Sequence, residues 1–471
     1  EVAGDYTGLK PKQARTKIIE DMEAKGLLDK VEDINHRTPI SERSKIPIEI
    51  IPMEEYYLKQ KESIDKMRKL GEEVTFHPKM HKQILMNWLD SINIDWPISR
   101  RRYYGTEIPI WYCKKCSEPH VPEPGKYYKP WNEKCPISNC VKCDSTEFVG
   151  EERTFDTWMD SSVSPLFISK FNRDDEFFNK VYPATIRPQA KDIVRTWLYY
   201  TLLRCEQLTG EKPWSEAWIM GYGLDEKGMK MSKSKGNAID PLPVIEKVGA
   251  DTFRFWSASE INHGYDFRCN EQKIDSTKKF LSKLWNVSRF LSSFPVIETG
   301  SPSASDKWIL AELDKLVIEC KKGYEEYNFF IPAIAIREFT WNVFAAHYIE
   351  MVKGRAYGIE FSDEERDGAI FTLHKTLSTI LKLLAPITPF ITEHLWKELY
   401  SENSIHKQRQ VEPENIENDD NITKEIAEFN SKVWNEKKSQ SLSLKDSIKI
   451  EVPEILKPFE KDLKSMHNLT D

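Results

Sequence analysis

Two Cys-x-x-Cys pairs, Cys113/Cys116 and Cys140/Cys143, stand 23 residues apart and constrain the middle of this chain more than any other feature. Each pair reads as a knuckle, and two facing knuckles close a tetrahedron of thiolates. Zn2+ suits such a set because it is borderline-soft and has no geometric preference against a tetrahedron. Four protein ligands leave no open coordination position, so the expected role is structural. Cys135 and His120 lie in the same block and stand as alternatives for the fourth ligand. Free buried thiols are the bland alternative for the whole set. Of eight cysteines, five crowd into residues 113–143 while Cys205, Cys269 and Cys320 are scattered. That distribution fits a metal site in a reducing cytosol better than a disulfide framework.

The sequence around this block divides by periodicity. Residues 1–62 mix turn signals with short apolar runs such as IPIEIIP, and helical spacing then runs through about 62–93. The stretch DWPISRRRYYGTEIPIWYC is rich in aromatics and β-formers and reads as strands. Between 150 and 225, extended runs (VYPATIRP, EAWIMGY) alternate with a helical one (DIVRTWLYYTLLRCEQL), the sign of an α/β layer. Helical patterns at 241–260, 271–294, 306–328, 332–353 and 366–401 then predict an all-α domain. The linker ETGSPSAS (298–305) leads into it, and the acidic VEPENIENDDN (411–421) reads as a surface loop near its end.

At 471 residues, two to four domains are expected. The net charge of −7 argues against a globally basic nucleic-acid binder and confines any such binding to local patches, such as Ser99-Arg100-Arg101-Arg102. No apolar run reaches the length of a membrane span, and EVAGDYTGLK is not a secretory signal, so a cytoplasmic protein without a membrane partner is expected. The chain has no initiator Met, which leaves a processed start or a piece of a longer chain.

The second informative stretch is GMKMSKSKGN at 228–237, with Lys230, Lys233 and Lys235 set between glycines shortly after the apolar AWIMGYGL. A solvated loop is the bland reading. Gly223 and Gly228 have the spacing of a P-loop, but Met229 stands where that loop needs its lysine. Gly221 and Gly223 open a GxGxxG pattern, but Glu226 occupies the third glycine position. The loop is therefore a candidate anion site of another kind.

Lys230-Met231-Ser232-Lys233-Ser234 resembles the KMSKS loop of the class I aminoacyl-tRNA synthetases of the valine/isoleucine/leucine group. DWPISRRRYYGTEIPIWYC, TFDTWMDSS, RPQAKDIVRTW and LLAPITPFITEHLW resemble other segments of that family in the expected order, most closely those of its archaeal-type valyl branch. The resemblance covers nearly the whole chain. It implies the second half of a Rossmann-type catalytic domain with a zinc-binding insertion, followed by a helical-bundle anticodon-binding domain. The implied layout is a tail of an inserted editing domain (1–62), a return segment (63–110), the zinc insertion (111–149) and the catalytic half with its loop (150–240). A helical stem-contact connector (241–300), the anticodon-binding bundle (301–405) and a C-terminal subdomain (406–471) follow.

The implied activity is ATP-dependent activation of valine and its transfer to tRNA(Val), with Mg2+ accompanying the nucleotide. Lys230 and Lys233 would meet charge that builds on the phosphates as pyrophosphate leaves. Met231, Ser232 and Ser234 would complete the ATP-binding loop, and Gly228 and Gly236 would let it swing closed. Asp192 matches the acidic residue near the adenylate's ribose; a helix N-cap is the alternative. Ala190 departs from the glycine usual two residues earlier. Trp158, Ile193 and Trp197 match the family's valine pocket, with Ile193 and Trp197 four apart on one helix face. A hydrophobic pocket rejects isosteric threonine by no more than about a hundredfold, so editing is implied, with its catalytic residues upstream of Glu1.

None of the ten histidines forms the HxGH motif that the family pairs with KMSKS. The chain therefore reads as the carboxyl-terminal part of a synthetase, a fragment or a split-enzyme subunit, inactive until the missing half is supplied and a monomer when complete. Lys283, Arg289, Lys353 and Arg355 are candidate phosphate contacts for tRNA. An isoleucine enzyme, a non-catalytic tRNA-binding paralogue and a zinc-ribbon scaffold remain as alternatives.

Overall fold

A computed structural model describes residues 3–41, 44–48, 50–102, 104–233, 236–416 and 421–470. The chain divides into two compact units, Glu1–Glu55 and Tyr56–Asp471. The first is built on one helix, Pro11–Ala24, with proline at the first helical position where its missing N–H costs nothing. That helix buries no residue within the unit, and Ile18, Ile19 and Met22 remain exposed.

The second unit is organised on a three-stranded parallel sheet in which Trp214–Met220 lies between Thr75–His77 and Ala184–Ala190. Alternation along the central strand turns Ala217 and Ile219 into a core. Helices Ile64–Glu73, Lys82–Ser91 and Tyr199–Thr209 contribute Met67, Leu85, Leu89, Leu202 and Leu203 to that core, and Trp96 stacks on Tyr200 with centroids 3.7 Å apart. The helical run expected over 62–93 is two helices, because Val74-Thr75-Phe76 leaves the first to become an edge strand and Pro78 follows it. DWPISRRRYYGTEIPIWYC yields short strands at Trp96–Pro97, Ser99–Arg100 and Trp111–Cys113.

The helical region has one continuous core through Leu284, Ile309, Leu316, Val352, Leu377 and Leu381. Its helices break where the backbone requires it. Gly249, in a left-handed conformation, separates Pro241–Val248 from Ala250–Glu260, and Pro386 and Pro389 follow Asp363–Leu384. Within the core Arg355, 1% exposed, donates two 2.7 Å bonds to Asp306 and lies 3.1 Å from Asp462 on the last helix. Arg355 is thus a buried strut, not a tRNA contact. Lys353 is half-exposed, but Glu350 lies 3.4 Å away and Phe290 beneath it. The described part of the acidic loop, 411–416, is tied down: Glu412 pairs with Lys321, Glu414 with Lys375, and Asp314 accepts from the Glu414 and Ile416 N–H groups.

Candidate active site and metal centre

The sheet's adjacent strands Ala184–Ala190 and Trp214–Met220 run parallel and end level, Ala190 opposite Met220. Ligand-binding loops of open parallel sheets lie beyond these carboxyl ends. After the first strand comes Asp192; after the second come Tyr222 and the lysine loop. Gly221 is required at the junction because a Cβ there would lie 2.0 Å from the Tyr265 carbonyl oxygen. That close approach brings Asp266 against the Tyr222 N–H at 2.8 Å.

The loop itself is a hairpin with internal supports. Leu224 and Lys230 form an antiparallel bridge, and Asp225–Gly228 make the turn, with Gly228 at φ +80° in the region that L side chains avoid. The Asp225 carboxylate accepts from the Lys227 and Met229 N–H groups and from Asn237 Nδ2, and these bonds hold its pKa below the usual range. Asn237 Oδ1 in turn accepts from the Ser232 N–H at 2.9 Å. Met231 turns away from the loop surface and packs against the cluster of Val244, Val248, Trp256 and Ile274.

Lys230 Nζ donates to Asp192 Oδ2 at 2.9 Å and lies 4.0 Å from the centre of the Tyr222 ring. The bond to Asp192 raises the Lys230 pKa above the usual lysine value. Lys191 stands on the same ring at 4.6 Å and pairs with Asp266 at 2.6 Å. Burial raises the Asp266 pKa, but Lys191 and the Tyr222 N–H outweigh it and hold the group low. Lys233 is exposed and has no ion-pair partner among the described residues. Ser234 and Lys235 lie outside the described residues.

Asp192 is not a cap: the residue at the cap position is Ala190, which makes no side-chain capping bond. Ala190 has φ −83°, an ordinary extended value, so nothing in its own backbone calls for glycine. The helix entry also differs from the α-helix expected. Lys191–Ile193 form a 3-10 turn and Val194–Leu198 a π turn, so the spacing of Ile193 and Trp197 does not carry an α-helical register. Trp197 donates to the Ser161 carbonyl at 3.2 Å and lines a cavity of about 500 Å³ that includes neither Trp158 nor Ile193. Trp158, on the helix Thr157–Ser161 capped by Asp156, packs against the core of the sheet. Arg100, from the SRRR patch, pairs with Asp156 and so has an internal role.

In the cysteine block, Cys113, Cys116, Cys140 and Cys143 bring their sulfurs within 4.8 Å of one another. The Cys113–Cys143 and Cys116–Cys140 separations are each 3.5 Å, near the roughly 3.8 Å edge of a tetrahedron with 2.3 Å metal–sulfur bonds. Both knuckles repeat one turn: Ser117 N–H donates to Cys113 O and Asp144 N–H to Cys140 O, each at 2.9 Å, with Ser117 and Asp144 at positive φ. Burial opposes ionisation of Cys113, but backbone N–H groups of Cys116 and Lys115 and the Cys143 thiol lower its pKa, whereas burial and the neighbouring thiols raise those of Cys116 and Cys143. A metal cation is the partner this donor set fits. Cys135 and His120 are not members of the cluster; His120 is buried edge-on against Phe148.

The model of the family described as tRNA synthetases class I (I, L, M and V) matches residues 15–269, more than half of the chain. The chain belongs to this family. A second model, the anticodon-binding domain of tRNA ligase, matches residues 306–452. Among curated relatives, the valine–tRNA ligase of Aeropyrum pernix is 42% identical over 99% of this chain and 58% of its own length. That of Pyrobaculum aerophilum is 43% identical over 99% and 60%, and that of Nanoarchaeum equitans 42% identical over 98% and 61%. The chain thus spans 58–61% of the length of these relatives.

Solved structures of the family's fold align at lower identity. Mycobacterium tuberculosis methionyl-tRNA synthetase with methionyl-adenylate gives a TM-score of 0.59 at 18% identity, over 76% of this chain and 65% of that one. The LeuRS of Agrobacterium radiobacter K84, in a ternary complex with tRNA and LeuAMS, gives 0.54 at 22%, over 68% and 42%. The fold is therefore that of a class I synthetase catalytic domain followed by a helical anticodon-binding domain, and ATP is the co-substrate of this class. Among the described residues, no helix is long and apolar enough to cross a membrane.

Tyr222, Lys191 and Asp266 carry no signal in the sequence. Only proximity to the loop could have drawn attention to Tyr222, and nothing in the pattern relates it to residues 191 and 266.

Proposed function

We propose that this chain supplies the KMSKS side of a valine-activating site and the tRNA-binding body of a valine–tRNA ligase. The observation that carries the reading is the Lys230–Asp192 pair, set where two neighbouring parallel strands end. In activation, a carboxylate oxygen of valine attacks the α-phosphorus of ATP and pyrophosphate leaves with its electron pair, so negative charge grows on the phosphate oxygens. Without nucleotide, Lys230 rests on Asp192 and Tyr222. A ribose hydroxyl donating to Asp192 would take over that carboxylate, releasing the ammonium toward the phosphates. Lys233, with no ion pair among the described residues, is available to the same charge. Met231 acts from below by anchoring the loop, and Asn237 ties its two ends through Asp225 and Ser232. Ser232 and Ser234 would take part in binding ATP, and Mg2+ would accompany the nucleotide.

Trp158, Ile193 and Trp197 are proposed as the valine pocket, completed by protein outside this chain. The thiolates of Cys113, Cys116, Cys140 and Cys143 would hold Zn2+, closing the insertion without contributing an open coordination position.

The RNA partner is proposed to lie along helix Glu271–Leu291. Lys278, Lys279, Lys283 and Arg289 project from this helix and none has an ion-pair partner among the described residues. Lys278, Lys279 and Lys283 share a groove with the half-exposed Trp341, a surface on which phosphates and an unpaired base both find partners. The reading is of a cytoplasmic enzyme, monomeric when whole.

The test is amino-acid-dependent ATP–pyrophosphate exchange, on this chain alone and with the amino-terminal part of a relative supplied, comparing valine, isoleucine and threonine. Valine-dependent exchange that appears only on addition supports the reading. Exchange with isoleucine in preference reassigns the substrate. None in either case, with the added part shown to bind, leaves a tRNA-binding paralogue.

A further inference from the structure

Arg187 sits in the middle of strand Ala184–Ala190 and is 6% exposed. Its guanidinium is packed between two indoles, 3.0 Å from the ring centre of Trp197 and 4.4 Å from that of Trp214. No carboxylate pairs with it among the described residues, and its Nε and Nη2 are buried without a hydrogen-bond partner. Trp214 Nε1, also buried, has no hydrogen-bond partner among the described residues either. Arg187, Trp197 and Trp214 line the cavity of about 500 Å³ already described, whose other walls include Pro165, Ile168 and Ile186.

These features define what the cavity is built to receive. Every unpartnered polar atom named here is a donor, so the complement is an acceptor. Nε and Nη2 carry parallel N–H bonds along one edge of the guanidinium, the fork that a carboxylate bridges with its two oxygens. A single guanidinium balances one negative charge, whereas a phosphate dianion in an apolar cavity would be left half-compensated. The apolar remainder of the wall asks for an aliphatic body. Burial without a partner also drives the Arg187 pKa down to about 9, the strain expected of a cation taken from water and given no anion.

We propose that this cavity is a carboxylate site: an aliphatic chain fills the apolar walls and its carboxylate bridges Nε and Nη2 of Arg187, with the Trp214 N–H beside it. The cavity contains neither Lys230 nor Asp192, but it shares Trp197 with the proposed valine pocket, and its polypeptide arm rests on the ligase reading. The carboxylate comes either from a small aliphatic acid or from an aspartate or glutamate of polypeptide that this chain does not span in its relatives. Trp197 backs the guanidinium, so an occupant also fixes the ring proposed for the valine pocket.

Calorimetric titration of the whole chain separates these sources. Isobutyrate and isovalerate are the probes, isobutyramide is the uncharged match, and the part of the Aeropyrum pernix relative beyond this chain is the polypeptide probe. Arg187→Gln is titrated in parallel. Binding of the acids that is at least about tenfold weaker for the amide and for R187Q supports a small-molecule site. Binding of the polypeptide alone, weakened at least about tenfold by R187Q, supports a side-chain carboxylate. Acid and amide binding alike, or neither binding while R187Q leaves polypeptide affinity unchanged, overturns the proposal. The acid-against-amide comparison needs no variant, so it stands even if R187Q folds poorly.

Discussion

Lys230 Nζ and Asp192 Oδ2 meet at 2.9 Å although 38 residues separate them in sequence. The contact joins the ends of two parallel strands, and its charges are half-exposed, 50% and 38%. At that exposure the pair contributes no more than about 1 kcal/mol to stability. The raised pKa of Lys230 places that small contribution at neutral pH, to be lost only as pH rises through the folded lysine value.

Lys230→Ala is therefore expected to leave the melting temperature within about 2 °C of the parent, since so little stability is removed. In the presence of the amino-terminal part, it should lower valine-dependent pyrophosphate exchange by about 10²–10³-fold, the scale of losing one transition-state donor. Undiminished exchange would remove Lys230 from the chemistry.

For the metal centre, the expectation is selective loss. Cys140→Ser should release the metal, while Cys135→Ser and His120→Gln should retain it, because only the former belongs to the clustered thiols. Zinc content by inductively coupled plasma mass spectrometry after gel filtration reads the result. Retention in Cys140→Ser with loss in Cys135→Ser would exchange their assignments.

The buried Arg355–Asp306–Asp462 network predicts a large and asymmetric response. Asp306→Ala removes two charged bonds at 2.7 Å and leaves the buried guanidinium with Asp462 alone, which costs about 3–5 kcal/mol in urea denaturation. Replacing the whole network, with Asp306→Leu, Arg355→Met and Asp462→Leu together, should recover most of that loss. A triple variant as weak as the single one would mean that the loss comes from packing and not from the undercompensated charge.

Acid stability should be governed in part by buried histidines. Burial lowers the pKa of both His263 and His467 to about 4, with Lys437 adding repulsion at His467. Between about pH 6.5 and 4 the unfolded chain binds protons that the folded one refuses, so stability falls as pH falls through that window, by up to about 1.4 kcal/mol per group and pH unit. His467→Gln should flatten the dependence, read as the urea midpoint against pH. An unchanged slope would show that this ring protonates freely in the folded chain.

What the sequence determined by itself was chemistry confined to near neighbours. The two cysteine knuckles were legible because each turn is made by four or five consecutive residues, and the lysine loop because its turn residues and charges lie within one short stretch. The alternation of extended and helical runs disclosed the α/β layer and the helical region for the same reason. Tertiary structure decided the partners. Thr75–His77 became a strand because the edge of Trp214–Met220 offers unpaired backbone groups, which no local pattern reports. Arg355 and Lys283 are both cations on helices, yet packing buried one against Asp306 and left the other in an open groove. Asp192 found Lys230, and Arg187 found two indoles and, among the described residues, no anion, through contacts that the order of residues does not encode. Backbone conformation follows from adjacent side chains, whereas the environment of a charge depends on everything the fold brings within a few ångströms.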